Sequence, residues 1–292
     1  MKRPVLHERL QAVTAPIRGG NVVILIASLV GLSGFLYPFL LPAVAQGNES
    51  RARAGDAPYL LAIVTALCLF AIVVELERGQ SGASASKTVA LLGTLVAIDA
   101  TLRLVPTFLG ASPIYLLIIL TGFVFGPALG FQMGALTLLV SGFITGGIGP
   151  WLPYQMLGAG WIGMTAGWLP HPATRRIRLG LLAGFGAAWG FLFGALLNLW
   201  FWPVTAPGLG ADAGLYWTPE LGLIETARRY GAFYLVTSFG YDLFRAAGNA
   251  TLMLLLGGPI LIVLERFRAR FTWQPWTEFP PAPEVPARAS SS

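Results

Sequence analysis

The sequence predicts an all-α, polytopic membrane protein with about eight transmembrane helices. Of its 292 residues, 55% are hydrophobic and only 11% are charged, whereas soluble domains carry about 25% charged residues. Several apolar runs reach the roughly 20 residues that cross a bilayer as a helix. These runs are continuous, whereas the strands of a membrane β-barrel alternate between apolar and polar residues.

The predicted spans follow one another with mostly short polar connections. They cover residues 21–45, 58–75, 88–109, 112–126, 128–147, 151–169, 179–202 and 231–264. Proline predicts helix breaks at Gly126-Pro127 and Gly149-Pro150. The fourth span is short, which favours a helix that is tilted, broken or partly re-entrant. The longest connection, residues 203–230, lies outside, and the Pro-, Ala- and Ser-rich tail, residues 269–292, is predicted to be disordered in the cytoplasm.

Positive charges indicate how these helices are oriented. With the amino terminus inside, the cytoplasmic segments hold thirteen Lys and Arg residues and the outer segments hold four, Arg51, Arg53, Arg228 and Arg229. This asymmetry and the even number of spans predict a multi-pass protein of the cell (cytoplasmic) membrane with both termini in the cytoplasm. Because the basic residues cluster beside apolar runs, the net charge of +6 is read as membrane orientation, and no nucleic-acid partner is predicted.

The end of the first span resembles a signal-peptidase site at Ala43-Val44-Ala45. Its apolar stretch is longer than the 7–15 residues of a signal-peptide core. An uncleaved helix is therefore favoured, with cleavage as the alternative. Either outcome leaves the remaining helices in the same orientation.

Small residues recur at four-residue spacing in three rows. The rows are Gly122, Gly126, Gly130 and Gly134; Ala159, Gly163 and Gly167; and Gly186, Gly190 and Gly194. This spacing keeps the small residues on one helix face and allows close backbone approach, which predicts compact packing. The third row continues to Asn198, so its amide is expected to point into the bundle.

Two acid–arginine pairs lie within predicted spans. Asp99 and Arg103 are four residues apart, and Asp242 and Arg245 are three apart with Asn249 one turn further. Both spacings allow pairing on a helix. Charges at this depth normally face the bundle interior or a wet cavity. Two interpretations stay open: ion pairs that order the helices, or, for Asp99 and Arg103, contact with a polar ligand near the outer surface.

The segment "GGIGPWLPYQM", residues 146–156, is awkward to place beside lipid. On a helix that begins near Trp151, four residues share a face that opens outside: Trp151, Tyr154, Gln155 and Gly158. An interfacial aromatic belt explains Trp151 but leaves the amide of Gln155 without a partner. Further aromatic residues gather at outer ends, namely Trp200, Trp202, Tyr216, Trp217, Tyr230 and Tyr234. Aromatic walls with a few polar groups favour a small-molecule pocket over a belt alone.

Motifs of an enzyme or a metal site are missing from the sequence. It has no Walker lysine motif and no nucleophile elbow. His7 and His171 are the only histidines and Cys68 the only cysteine. The chain is therefore predicted to be neither an enzyme nor a metal protein, and any energy source is expected to be a partner or an ion gradient.

Residues 119–170 strongly resemble the substrate-binding S components of energy-coupling factor (ECF) transporters. The most specific segments are "FGPALGFQMGAL" and "GPWLPYQMLGAGWIG", and the similarity extends from about Lys87 to Arg266. The resemblance implies a six-helix core over residues 87–268. Residues 1–86 are then a cytoplasmic segment and two extra transmembrane helices.

The resemblance also implies a function in micronutrient uptake. An S component is a high-affinity capture subunit that binds a vitamin from the outside and delivers it with a T component and two cytoplasmic ATPases. ATP is used by those partners, and this chain is expected to hold no cofactor. The small residues expected to contact the T component are Gly93, Ala97 and Thr101. The "GPWLPYQM" segment is similar to S components for cobalamin-like corrinoids, which makes such a ligand one expectation among the vitamins.

The predicted ligand contacts combine aromatic and polar side chains. They are Trp151, Tyr154, Gln155, Asn198, Trp202, Tyr234, Asp99 and Arg103. The alternative function is a stand-alone secondary transporter, in which the two acid–arginine pairs couple to protons or sodium. A third class, an intramembrane enzyme acting on lipid-linked substrates, needs a cluster of acidic or histidine residues on one face, which the sequence does not show.

Overall fold

The computed structural model describes residues 19–40, 59–70, 73, 82–105, 111–202, 214–218 and 221–271. This part of the chain is all-helical, as predicted, and contains nine helices. They are α1 (Gly19–Leu40), α2 (Tyr59–Phe70), α3 (Gly82–Leu102), α4 (Ile114–Phe125), α5 (Pro127–Thr145), α6 (Leu152–Ala166), α7 (Arg175–Phe201), α8 (Leu223–Thr237) and α9 (Phe239–Phe271). The cleavage motif at 43–45 and tail residues 272–292 lie outside the described residues.

Three described helices are long and apolar enough to cross a bilayer: α5, α7 and α9 over Phe239–Ala269. Shorter apolar segments occur in α1, α2 and α4. The 12 residues of α4 extend about 18 Å, less than the roughly 30 Å hydrocarbon core. The number of eight crossings therefore stays a prediction.

Helix α4 forms the centre of the bundle, and every residue from Ile114 to Val124 is buried. The predicted break after it is confirmed at Gly126. That residue has a φ of 99°, which glycine adopts without steric cost, and its N–H bonds to the carbonyl of Gly122 at 2.8 Å. Pro127 then begins α5, where its missing N–H costs no helical hydrogen bond.

The first two rows of small residues interlock where α4, α5 and α6 meet. A Cβ added at Gly122 or Gly130 would overlap the carbonyl group of Gly163, and one at Gly134 would overlap that of Ala159. Backbones approach this closely only where side chains are absent. The predicted close packing of these rows is confirmed.

The third row packs α7 against α9. Gly190 lies against the backbone of Ala246, Gly194 against the carboxylate of Asp242, and Gly186 against Asn249. The Asn249 amide also donates to the Gly186 carbonyl at 2.9 Å. At the end of the row Asn198 donates to the Ser238 hydroxyl, so its amide points into the bundle as predicted.

The predicted eighth span is wrong as a single helix. Residues 231–264 belong to two helices, α8 and α9, that meet at Ser238, whose φ of −129° leaves the helical region. The sequence is apolar on both sides of Ser238, so hydropathy carries no signal of this break. Helix α8 begins with Leu223 and Ile224, which are 90% and 88% exposed.

Helix α1 packs directly on α6. The ring of Phe35 meets that of Tyr154 edge-on at 4.9 Å, and Trp161 Nε1 donates to the Ser28 hydroxyl at 3.0 Å. Gly34 of α1 in turn faces Leu60 of α2. The first extra helix thus contributes side chains to the same core as the helices that follow.

Candidate functional site

The connection between α5 and α6 is held by its own backbone. Gly146 caps α5 in the left-handed conformation with a φ of 67°, and Gly147 N–H bonds to the Gly142 carbonyl at 2.9 Å. Trp151 Nε1 donates to the Gly147 carbonyl at 3.2 Å, and its ring covers Gly149. Trp151 is therefore part of this turn, and it remains 42% exposed.

The other residues of the predicted α6 face point inward. Tyr154 is 2% exposed and lies between the rings of Phe35, at 4.9 Å, and Trp200, at 5.1 Å. Gln155 Oε1 accepts from Arg103 Nη2 at 3.5 Å, and Gly158 lies against the ring of Phe193. The structure thus gives Gln155 a charged partner, whereas the Trp151 indole bonds within its own turn.

The predicted pairing of Asp99 with Arg103 is wrong. Helix α3 ends at Leu102, so Arg103 lies in the following turn and the i,i+4 geometry of a helix does not apply. Its guanidinium instead donates to Ser141 of α5 at 2.9 Å and to Gln155 of α6.

Asp99 is fully buried between α3 and α5. Its side chain is 0% exposed, and among the described residues neither carboxylate oxygen has a hydrogen-bond partner. It faces the hydroxyl of Thr137, outside hydrogen-bonding geometry. A buried charge without a partner is costly, so this position favours a neutral carboxyl or a bound cation.

The second predicted ion pair is confirmed. Arg245 donates to the Asp242 carboxylate and to the Gly190 carbonyl at 3.3 Å. The guanidinium lies 5.5 Å from the ring centroid of Phe193, within cation–π range. Tyr234, a predicted ligand contact on α8, lies beside Asp242.

Tyr115 joins these groups, although sequence reasoning missed it. Its ring meets that of Phe193 at 5.3 Å, the same ring that the Arg245 guanidinium faces, and it lies within the electrostatic range of Arg103. The only sequence signal is one phenol at the start of the apolar run "IYLLIIL". We call Arg103, Tyr115, Ser141, Gln155 and Arg245 the inner polar cluster.

An aromatic cluster lies at the carboxyl end of α7. Trp202 is 1% exposed, donates from Nε1 to the Leu215 carbonyl at 2.8 Å, and sits at its centre. Its neighbours are Phe39 at 6.2 Å, Tyr230 at 5.2 Å and Phe233 at 6.3 Å, and Trp217 meets Phe39 at 5.5 Å. These five residues, the outer aromatic cluster, join α1, α7 and α8 to residues 214–218.

A second polar contact attaches α8 to the same segment. Glu225 accepts from Arg229 at 3.0 Å and from Arg228 at 3.3 Å, while Arg229 also donates to the Tyr216 carbonyl at 3.2 Å. The hydrogen bond from Arg229 holds the pKa of Glu225 below its usual value.

Because the folded pKa of Glu225 lies below its unfolded value, this contribution is present above the unfolded pKa and is lost as the pH falls through the folded one. Glu225→Gln is therefore expected to lower the thermal unfolding midpoint slightly at neutral pH and to remove part of its fall in acid. Unfolding scans from neutral to acidic pH measure both. This role would be contradicted if the unfolding midpoint of the variant fell in acid as steeply as that of the unmodified protein.

The small residues predicted to face a partner lie on an exposed side of α3. Gly93, Ala97 and Thr101 are exposed, and a Cβ at Gly93 would meet nothing within 4 Å. The Thr101 hydroxyl bonds to the Ile98 carbonyl at 2.7 Å. This face thus offers small side chains without free polar groups, and its role as an interface stays a prediction.

An apolar groove of about 320 Å³ lies apart from both clusters. It is bounded by α1, the first residues of α5 and the last turn of α6, and its one hydroxyl, that of Ser28, already accepts from Trp161. No charged side chain lines it. This groove therefore offers an apolar surface and no charged group to a ligand.

Comparison with known proteins gave no match. No family model, no curated protein and no solved structure is significantly similar to the chain. The chemistry of the site therefore follows from its geometry. Guanidinium, phenol, hydroxyl and amide groups can bind polar atoms of a ligand, and none of them is placed as a nucleophile beside a general base.

Proposed function

We propose that this chain is the substrate-capture S component of an ECF-type importer. It is embedded by several membrane crossings with both termini in the cytoplasm, and it binds a vitamin-like molecule from the outside. It acts with a T component and two ATPases and catalyses no reaction itself. The sequence resemblance, which is strongest over residues 119–170 and extends from about Lys87 to Arg266, supports the family.

One observation carries the proposal: the five residues of the inner polar cluster belong to helix ends on the same side. Arg103 follows α3, Ser141 lies near the end of α5, and Tyr115, Gln155 and Arg245 lie in the first two turns of α4, α6 and α9. The positive-inside count assigns all these ends to the outer surface. A binding site open to the outside is what a capture subunit requires.

We expect the two clusters to make different kinds of contact with the ligand. The inner polar cluster supplies directional hydrogen bonds, and the outer aromatic cluster supplies apolar walls, a combination typical of small-molecule pockets. Phe39 and Phe35 extend these walls from α1. Of the two extra N-terminal helices, α1 therefore contributes to the proposed pocket.

A stand-alone secondary transporter is the second candidate, and Asp99 favours it. A fully buried carboxyl group that lacks a hydrogen-bond partner among the described residues is suited to bind and release a proton or a sodium ion. In that case uptake needs only this chain and an ion gradient.

Two measurements on the purified protein test the proposal. Affinity purification from native membranes is expected to recover a T component and ATPase subunits, and mass spectrometry is expected to find a small molecule retained by the protein. Gradient-driven uptake by this chain alone in liposomes, without ATPases, would instead establish the secondary transporter.

Gln155→Leu is expected to reduce the retained small molecule roughly tenfold, because Arg103 loses a hydrogen bond that holds its guanidinium in the proposed site. The matched control is Trp168→Ala, since Trp168 is 64% exposed and follows the opposite end of α6. Equal retention by both variants and the unmodified protein would remove Gln155 from the site.

A further inference from the structure

We propose that the ligand of the inner polar cluster is an anion whose carboxylate or phosphate oxygens bind Arg103. This inference rests on the proposed capture function and specifies the class of molecule captured.

Arg103 has only neutral hydrogen-bond partners among the described residues. Its guanidinium donates to the Ser141 hydroxyl at 2.9 Å and to the Gln155 amide oxygen at 3.5 Å. Two of its five N–H groups are used in this way. Ser141 and Gln155 orient the guanidinium but bring no negative charge.

The other arginines near the outer helix ends of the described chain each bind a carboxylate. Arg228 and Arg229 share Glu225, and Arg245 binds Asp242. Asp99, one helical turn before Arg103, forms no ion pair with it and faces Thr137. Arg103 is therefore the cation of this region whose counter-charge the described residues do not supply.

The surroundings of Arg103 suit an oxyanion with an apolar body. Its planar, forked N–H groups match the geometry of a carboxylate or a phosphate. The Phe193 ring packs against Tyr115 and lies 5.5 Å from the Arg245 guanidinium, so it offers an apolar wall. Because Asp242 already neutralises Arg245, the cluster as a whole is left with one unmatched positive charge.

Thermal stabilisation by matched acids and their neutral analogues tests this inference. The probes are nicotinate with nicotinamide, pantothenate with panthenol, and biotin with biotin amide, each at millimolar concentration, together with inorganic phosphate. We expect at least one acid to raise the unfolding temperature and its neutral partner to leave it unchanged. Stabilisation by phosphate alone would identify the oxyanion as a phosphate.

Arg103→Gln is expected to abolish the difference between acid and neutral analogue. Arg228→Gln serves as the charge-matched control, since the Arg228 side chain is 79% exposed and belongs to neither cluster. Arg103→Lys covers the case in which Arg103→Gln does not fold: it keeps the charge, loses the fork, and is expected to bind the acid roughly tenfold more weakly with the same preference.

Equal stabilisation by acids and neutral analogues, or no stabilisation by any of the acids or by phosphate, would overturn the inference, as would an acid preference that survives Arg103→Gln. These failures are distinct from failure of the capture function. If the anion assignment fails in these ways, a neutral molecule retained by the protein or the recovery of ATPase subunits would still support the capture function.

Discussion

Gly130→Val is expected to prevent assembly of the bundle. A Cβ at this position would overlap the backbone of Gly163 on α6 and the Cα of Gly122 on α4, and backbone atoms cannot rotate away as a side chain can. We expect a loss of more than about 3 kcal/mol of stability, since overpacking without room to relax is costly. The yield of monodisperse protein in mild detergent, measured by size-exclusion chromatography, reports the outcome.

Gly184→Val is the control for that substitution. It introduces the same side chain on α7, where a Cβ would meet nothing within 4 Å, and it is expected to change stability by under about 0.5 kcal/mol. If both variants gave the same yield of monodisperse protein, the contact between α4, α5 and α6 would not determine assembly.

Asp242→Ala is expected to lower the free energy of unfolding by about 3–5 kcal/mol, because it leaves a charged group buried without its partner. The side chains of Asp242 and Arg245 are only 2% and 15% exposed. The unfolding midpoint of the detergent-solubilised protein, followed by tryptophan fluorescence, measures the loss.

A double variant distinguishes the effect of leaving Arg245 unpaired from the effect of losing the Asp242 side chain. Asp242→Asn with Arg245→Met removes both charges at similar volume, and such replacements are often nearly neutral. It is expected to be more stable than Asp242→Ala. Glu225→Ala, which breaks an exposed pair, is the matched control and should have little effect. A double variant as unstable as Asp242→Ala would show that the carboxylate acts otherwise than by neutralising Arg245.

The Asp242–Arg245 pair also bears on ligand capture. By holding Arg245 against Gly190 and Phe193, Asp242 gives this arginine a structural role. Arg103, held only by neutral groups among the described residues, is the arginine that we propose binds the ligand. The two arginines thus differ in charge balance, because Arg245 binds a carboxylate on its own helix and Arg103 has no ion-pair partner in the described part of the chain.

Features that depend on local spacing were predictable. The rows of small residues predicted close helix contacts because a period of four keeps residues on one helix face, and Gly190 and Gly130 make such contacts. Asp242 and Arg245 were expected to pair because both lie within one continuous helix. The helix boundary at Gly126-Pro127 followed from the geometry of proline.

Two predictions were wrong because a helix ends where the sequence has no proline to mark the boundary. Asp99 and Arg103 have the i,i+4 spacing that allows pairing on a helix, but α3 ends between them at Leu102. The break at Ser238 was missed because apolar residues continue on both sides of it. A hydropathy pattern records which residues avoid water and does not record where the backbone turns.

The sequence by itself determined that the described part of the chain is helical and apolar. It also indicated where glycine allows helices to touch, and that Asp242 and Arg245 have the spacing of a pair. Only the tertiary structure decided the partners of Arg103, which are Ser141 and Gln155, 38 and 52 residues away along the chain. It likewise placed Tyr115 against Phe193 and Phe35 of α1 against Tyr154. Contacts within a helix follow from its fixed period, whereas contacts between helices depend on how whole helices pack, which no local spacing records.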